Sequence, residues 1–372
     1  MTAKRWAALG IAAVLFVFSV GINFMSNLAS TNFEDTFSNL MATGEDSFTE
    51  EMIETGDSLN KIAVLNLNGT IQDTGESGSL LATSTYNHNR FMKLLNHVKD
   101  DSTVKGVVIK VNTPGGGVVE SAQIHDKIVE IQEEANKPVY ISMGSMAASG
   151  GYYISAPAEK IFASADTMTG SLGVIMQGVN ITELADKIGI EFNTIKSGEF
   201  KDIMSQTREM TKEEQNILQD MIDNAYQGFV EVIASGREMS ENQVRELADG
   251  RIYDGRQALD NQLIDGLGYA EDVINEMKND VGLEDAAVIQ YSDNVGFGSF
   301  LSVAANKVAG NDLQMEGVMK LLTQTNSPRL MYLYAEYKGG ALGCIIKTNQ
   351  KIRNCSNKKV LKKRCFPNNL GN

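Results

Sequence analysis

Residues 141–155 read ISMGSMAASGGYYIS. The stretch completes PVYISM (138–143), a β-branched and aromatic run of strand length, and passes through glycine and serine into a helix start at SGGYYISAPA (149–158). The same figure occurs upstream, where VKGVVIKVNT (104–113) ends at PGGG (114–117). VVESAQIHDKIVEIQEE (118–134) then carries Ile124, Ile128 and Ile131 at helical spacing. KIAVLNLNGTI (61–71) is a further strand, and KIFAS (160–164), TGSLGVIM (169–176) and IEFNTIKSG (190–198) read as short ones. Strand, glycine turn and helix in alternation define an α/β fold with a largely parallel sheet and covering helices.

Helices dominate the next hundred residues. Thr211 with Glu214 forms a capping box, and Ile217, Leu218, Met221, Ile222, Ala225, Tyr226, Phe229, Val232 and Ile233 trace one apolar stripe, expected to be buried. Ser240 with Gln243 opens a second helix. Asp254 caps a third, expected to run through RQALDNQLIDGLG to a terminal glycine.

Composition narrows the chemistry. The 372 residues carry a formal charge of −14, which argues against nucleic acid as a partner because phosphate binding needs clustered Lys and Arg. Residues 338–372 hold nine Lys or Arg and no Asp or Glu, so residues 1–337 have 24 basic against 47 acidic side chains, or −23. Cys344, Cys355 and Cys365 all lie in that basic tail, leaving the body without thiol chemistry. The tail has neither a helical nor a strand period and is expected to be disordered and dispensable for folding.

At the other end, Lys4 and Arg5 precede an uncharged run from Trp6 to about Ser26, long enough to span a bilayer with the N-terminus inside. A cleavable signal peptide is the rival reading, but no clear small-x-small site follows the run. The expected organisation is a cytoplasmic stub and anchor (1–26), an acidic linker (27–58), the main α/β domain (59–292), a C-terminal extension (293–337) and the basic tail (338–372).

A glycine turn at a helix start presents unpaired backbone N–H groups, which can hold an oxyanion beside a nucleophile. Among the serines of 141–155, Ser142 lies in the strand and Ser145 in the turn. Ser149, followed by Gly150 and Gly151, is best placed to project into a cleft. His88, His97 and His125 all precede it, and nothing in their spacing supports a Ser–His–Asp triad. Lysine can replace histidine as a base if it is neutral, which requires its pKa to fall by several units and hence a dry site. TIKSGEFKD (194–202) offers Lys196 and Lys201.

Taken in order, NTPGGG, AASGGYY, TGSLGV and KSGEFKD, spread between about residues 60 and 290, closely resemble the bacterial signal peptide peptidase family. The single anchor and single repeat resemble its short form. The resemblance implies a crotonase/Clp-protease-like repeated ββα core with a helical C-terminal extension, preceded by one transmembrane helix. It implies Ser149 as nucleophile, Lys201 as general base, Ser171 as the serine that orients the lysine, and Gly116 and Gly150 as oxyanion-hole amides. It also implies short membrane-associated peptides as substrates, a homo-oligomer on the cytoplasmic membrane, and no metal or cofactor. A crotonase-like acyl-CoA enzyme would use similar glycines, but would give Ser149 and Lys201 no role. A catalytically inactive membrane scaffold is the other alternative, against which the intact Ser149 and Lys201 argue.

Overall fold

The computed structural model describes residues 48–73, 86–293 and 330–333. The expected anchor, the basic tail and most of the linker and C-terminal extension lie outside these residues. Among the described residues no helix is long and apolar enough to cross a membrane.

The centre of the fold is three parallel strands, β2 (Asp57–Asn68), β3 (Val104–Thr113) and β5 (Val139–Ala148). Their apolar residues run almost without interruption because both faces of the sheet are covered. Ala63, Leu65, Leu67, Val107, Ile109, Val111, Ile141 and Met143 point to one side. There they meet α1 (His88–Asp100), α2 (Val118–Glu133) and α3 (Gly150–Ser155). The alternate residues Ile62, Val64, Val108 and Tyr140 meet Val273, Ile274 and Met277 of α8 (Ala270–Asp280) on the other.

Around this core the sheet extends to nine strands. β1 (Phe48–Glu54) and β10 (Ala286–Asp293) flank β2, while β6 (Lys160–Ala163) and β9 (Gly266–Leu267) flank β5. β7 (Met168–Gly170) pairs in parallel with the C-terminal end of β5 and antiparallel with β8 (Ile252–Tyr253). β4 (Gly115–Gly117) leaves this sheet, pairing with β11 (Met331–Leu333) on one side and bridging Ile71 in parallel on the other. Three capping boxes open α5 (Lys212–Gly236), α6 (Glu241–Leu247) and α7 (Gly255–Asp260), at Thr211, Ser240 and Asp254 as expected.

Four expectations are corrected. Residues 48–58, read as acidic linker, belong to the sheet: β1 pairs antiparallel with β10, and Glu50 and Glu54 lie 2.8 and 2.5 Å from Lys61 and Lys278. Their acidity complements cations on neighbouring elements, while the strand itself stays exposed. Residues 190–198 form no strand and are exposed throughout; their β-branched residues find no free sheet edge. The helix capped by Asp254 stops at Asp260, where Asn261 and Gln262 turn the chain and Gln262 has a φ of 59°. On α5, the stripe is fully buried only towards its C-terminal end, with Phe229 and Ile233 in the core and Ile217 and Met221 exposed.

Candidate active site

Parallel strands in an α/β sheet release their chains into loops at the carboxyl edge, where ligands gather. β5 and β7 pair there as Ala148↔Gly170, so Ser149 and Ser171 emerge side by side from neighbouring strands. Ser149 donates its amide to the Gly170 carbonyl at 2.8 Å, and Tyr153 returns a bond to the Ser149 carbonyl at 2.9 Å. These bonds hold Ser149 at φ 54°, ψ −112°, almost completely buried, at the cap of α3. A non-glycine residue in such a region costs about 1–3 kcal/mol and persists only when its surroundings over-determine it. Ser171 is strained in the same sense, at φ 51°, and its amide bonds the Arg251 carbonyl at 2.6 Å. The other serines are otherwise engaged: Ser142 is buried within β5, Ser145 is exposed, and the Ser155 hydroxyl bonds Gly151 O.

The neighbouring loop supplies backbone. Gly115, at φ 97°, turns β3 into β4, and its amide bonds the Thr113 hydroxyl at 3.0 Å. β4 is an edge, and on it lies a segment more than 200 residues distant: Met331, Tyr332 and Leu333 pair antiparallel with Gly117, Gly116 and Gly115. On the other side of that segment, Met331 exchanges two 3.0 Å backbone bonds with Ile175. The fold therefore contains a groove in which an extended peptide is held by main chain along both edges.

The Tyr332 carbonyl oxygen lies against the glycine backbone of β4 and the start of α3. A methyl group on Gly115 would meet it at 2.1 Å and the Gly150 amide nitrogen at 2.6 Å. One on Gly150 would lie 3.0 Å from the Gly116 amide nitrogen and 3.1 Å from that same oxygen. The close approach of carbonyl and amides thus depends on glycine at these positions. Beneath the backbone, the Tyr332 ring fills an apolar pocket, 4.8 Å from the Tyr153 ring and 4.6 Å from that of Phe229. Its hydroxyl reaches Ala225 O at 3.1 Å. Burial pushes the Tyr332 hydroxyl pKa well above the ordinary tyrosine value.

The candidate bases are separated by their partners. Lys196 holds Asp202 Oδ1 at 2.6 Å and Glu199 O at 2.7 Å, both contacts requiring its protons. Lys201, on the 3-10 turn Glu199–Asp202, donates its amide to Gly198 O at 3.2 Å, but its exposed side chain makes no hydrogen bond or ion pair among the described residues and reaches neither the Ser149 nor the Ser171 hydroxyl. The turn is anchored through Asp202, which Arg208 grips at 2.7 and 2.9 Å while also bonding Glu214 at the start of α5. Arg208 and then Lys196 hold the Asp202 carboxyl far below its usual range. Arg208, with the Thr211 amide second, lowers Glu214 to about 2. None of the histidines bonds Ser149: His88 links Tyr86 and Gln123, His125 bonds Asp126, and His97 packs against Phe48 and Tyr291.

Sequence reasoning missed the 331–333 segment and the pocket beneath it. Only the apolar and aromatic character of LMYLY pointed to burial, and nothing local indicated where.

The groove thus holds an extended strand against glycine amides, next in sequence to a strained, buried serine, and the protein is a serine protease. Residues 131–284 match the family described as Peptidase family S49. The chain is 41% identical over 345 residues to "Putative signal peptide peptidase SppA" of Enterococcus faecium, covering 90% of this chain and 99% of that one. It is 33% identical over 293 residues to "Protease 4" of Haemophilus influenzae, covering 74% of this chain and 46% of that longer one. "Serine protease SPPA, chloroplastic" of Arabidopsis thaliana is 29% identical over 241 residues, or 63% of this chain and 35% of that one. The chain belongs to peptidase family S49.

Proposed function

We propose that this protein is a membrane-anchored endopeptidase that hydrolyses remnant signal peptides and other short membrane-associated peptides through a Ser149–Lys201 dyad, on a crotonase/Clp-protease-like core. The observation that carries the reading is the Tyr332 carbonyl lying against Gly116 and Gly150 beside the strained Ser149. Lys201 takes the hydroxyl proton as Ser149 Oγ attacks the peptide carbonyl, and the Gly116 and Gly150 amides receive the developing negative charge. The C–N bond breaks, and the departing nitrogen takes the proton back from Lys201. Water, deprotonated by the same lysine, then cleaves the acyl-enzyme. Ser171 orients the lysine. An aromatic-lined pocket supports apolar side chains on the acyl side of the cut.

This chemistry requires Lys201 to lose its access to water. In one chain the segment that precedes it in sequence exposes apolar side chains: Val179, Leu184, Ile188, Ile190, Phe192 and Ile195. A homo-oligomer in which a second copy covers this surface would supply the dry environment. The proposed location is the cytoplasmic membrane, with Trp6–Ser26 as the anchor, N-terminus inside, and the catalytic domain on the other side. The acyl-CoA alternative has no support from a peptidase family. Fluorophosphonate labelling with active-site mapping, run beside a cleavage profile on a peptide library, tests the proposal. Labelling at Ser149 and loss of all cuts in Ser149→Ala are expected; label elsewhere, or cuts that survive the substitution, would overturn it.

A further inference from the structure

Ser121 lies in the first turns of α2, and no water reaches its side chain. A helical serine in a dry site ordinarily returns its hydroxyl to a carbonyl of the preceding turn. The Ser121 hydroxyl makes no hydrogen bond among the described residues. A buried hydroxyl without a partner is destabilising, and alanine is the better helix former, so folding alone gives no reason for serine here.

The position of this hydroxyl suggests one. A methyl group on Gly150 would lie 2.8 Å from Ser121 Oγ, 3.0 Å from the Gly116 amide nitrogen and 3.1 Å from the Tyr332 carbonyl oxygen. The hydroxyl therefore borders the same small space as the glycine amides and the peptide carbonyl, yet it is not bonded to that carbonyl. Tyr332 O represents the planar ground state. When Ser149 attacks, the carbon becomes tetrahedral and its oxygen moves and gains charge. A donor idle toward the planar carbonyl and available to the displaced oxyanion contributes to the transition state alone, and that is the condition for raising kcat.

We propose that Ser121 is a third, side-chain donor of the oxyanion site. The inference rests on the reading of Ser149 as nucleophile. The hydroxyl hydrogen turns toward the oxyanion as it forms and is released when the carbonyl is restored, and no proton is transferred.

The test uses the full chain and a fluorogenic peptide carrying residues 329–334 (RLMYLY). Ser121→Ala should lower kcat by about a hundredfold, with KM changed by no more than about twofold. It should raise the melting temperature by roughly 1–3 °C, because an unpartnered hydroxyl is removed. An RLMY aldehyde, whose adduct places an oxygen in the site, should lose affinity in proportion to kcat, while the RLMY alcohol binds as before. Ser121→Cys, similar in size but a weak donor, should show the same kcat loss without unfolding. Parental kcat in either variant, or a kcat loss accompanied by a lower melting temperature and weaker alcohol binding, overturns the inference. Ser149→Ala separates the two levels: if it still cleaves, the nucleophile reading fails, whereas an inactive Ser149→Ala beside a fully active Ser121→Ala removes only the third donor.

Discussion

Ser149 and Ser171 stand next to each other because each follows one half of the Ala148↔Gly170 pair, and both have positive φ angles. Two adjacent parallel strands therefore each lead into a serine of positive φ, and the strand ends are linked by the 2.8 Å bond from the Ser149 amide to Gly170 O. If Ser149 supplies the electron pair and Lys201 removes its proton, neither works alone. Ser149→Ala and Lys201→Ala should each lower kcat/KM by on the order of 10⁴-fold or more with unchanged circular dichroism. More than a few per cent of parental activity in folded Lys201→Ala would remove the dyad.

The two lysines of the 194–202 segment should behave differently. Lys201→Arg should be inactive, since a guanidinium does not deprotonate in a protein. Lys196→Met breaks an exposed ion pair with Asp202, of the kind that contributes only about 0–1 kcal/mol, and Arg208 still holds that carboxylate. Steady-state kinetics should therefore find most of the activity retained. An inactive Lys196→Met with an active Lys201→Arg would exchange their roles.

Acid should release the turn that carries Lys201. Arg208 lowers the Glu214 pKa from 4.5 to about 2 and draws Asp202 down as well. A carboxyl depressed in the folded state stabilises it fully above the unfolded pKa, and that contribution is lost as pH falls through the folded one. The stability advantage of the parent over Glu214→Gln should thus hold above pH 4.5 and shrink toward pH 2. Melting temperatures recorded across that range check this, and an advantage that grows on acidification would contradict it.

Occupation of the groove by residues 331–333 should compete with substrate. Tyr332→Ala removes a fully buried ring from the Tyr153–Phe229 pocket and weakens the hold of that segment. KM for added peptides should fall several-fold with kcat little changed, while the melting temperature drops, since such truncations cost about 3–5 kcal/mol. Truncation after Tyr337 leaves the segment in place and should alter neither quantity. A higher KM in Tyr332→Ala would mean that the ring supports the groove rather than filling it.

Away from the site, the buried Lys137 caps the end of α1 by donating to Val98 O, Lys99 O and Asp101 O at 2.7–2.8 Å. Lys137→Met strands these carbonyls and should cost about 2–4 kcal/mol in urea unfolding, with kcat unchanged. A loss below about 0.5 kcal/mol would show that water replaces the ammonium.

What the sequence determined by itself was local. The apolar runs of β2, β3 and β5, the helical period of 118–133, and the capping pairs at Thr211, Ser240 and Asp254 involve neighbours within a few residues, and each formed where it was read. The glycine turns PGGG and SGG were legible at strand ends, whereas TGSLGV was joined to them only by the family resemblance. Contacts between distant segments required the tertiary structure. Phe48–Glu54 became a strand because β10, more than 200 residues away, offered an edge and Lys61 and Lys278 met its carboxylates. Residues 190–198 had strand composition but no edge to join, and Ile217 and Met221 of the α5 stripe stayed exposed for want of a covering layer. Tyr332 reached the Gly116 amide, and Ser121 reached the space beside it, through packing alone: a strand edge accepts any extended segment that arrives, and neither residue carries a local mark of where it will lie.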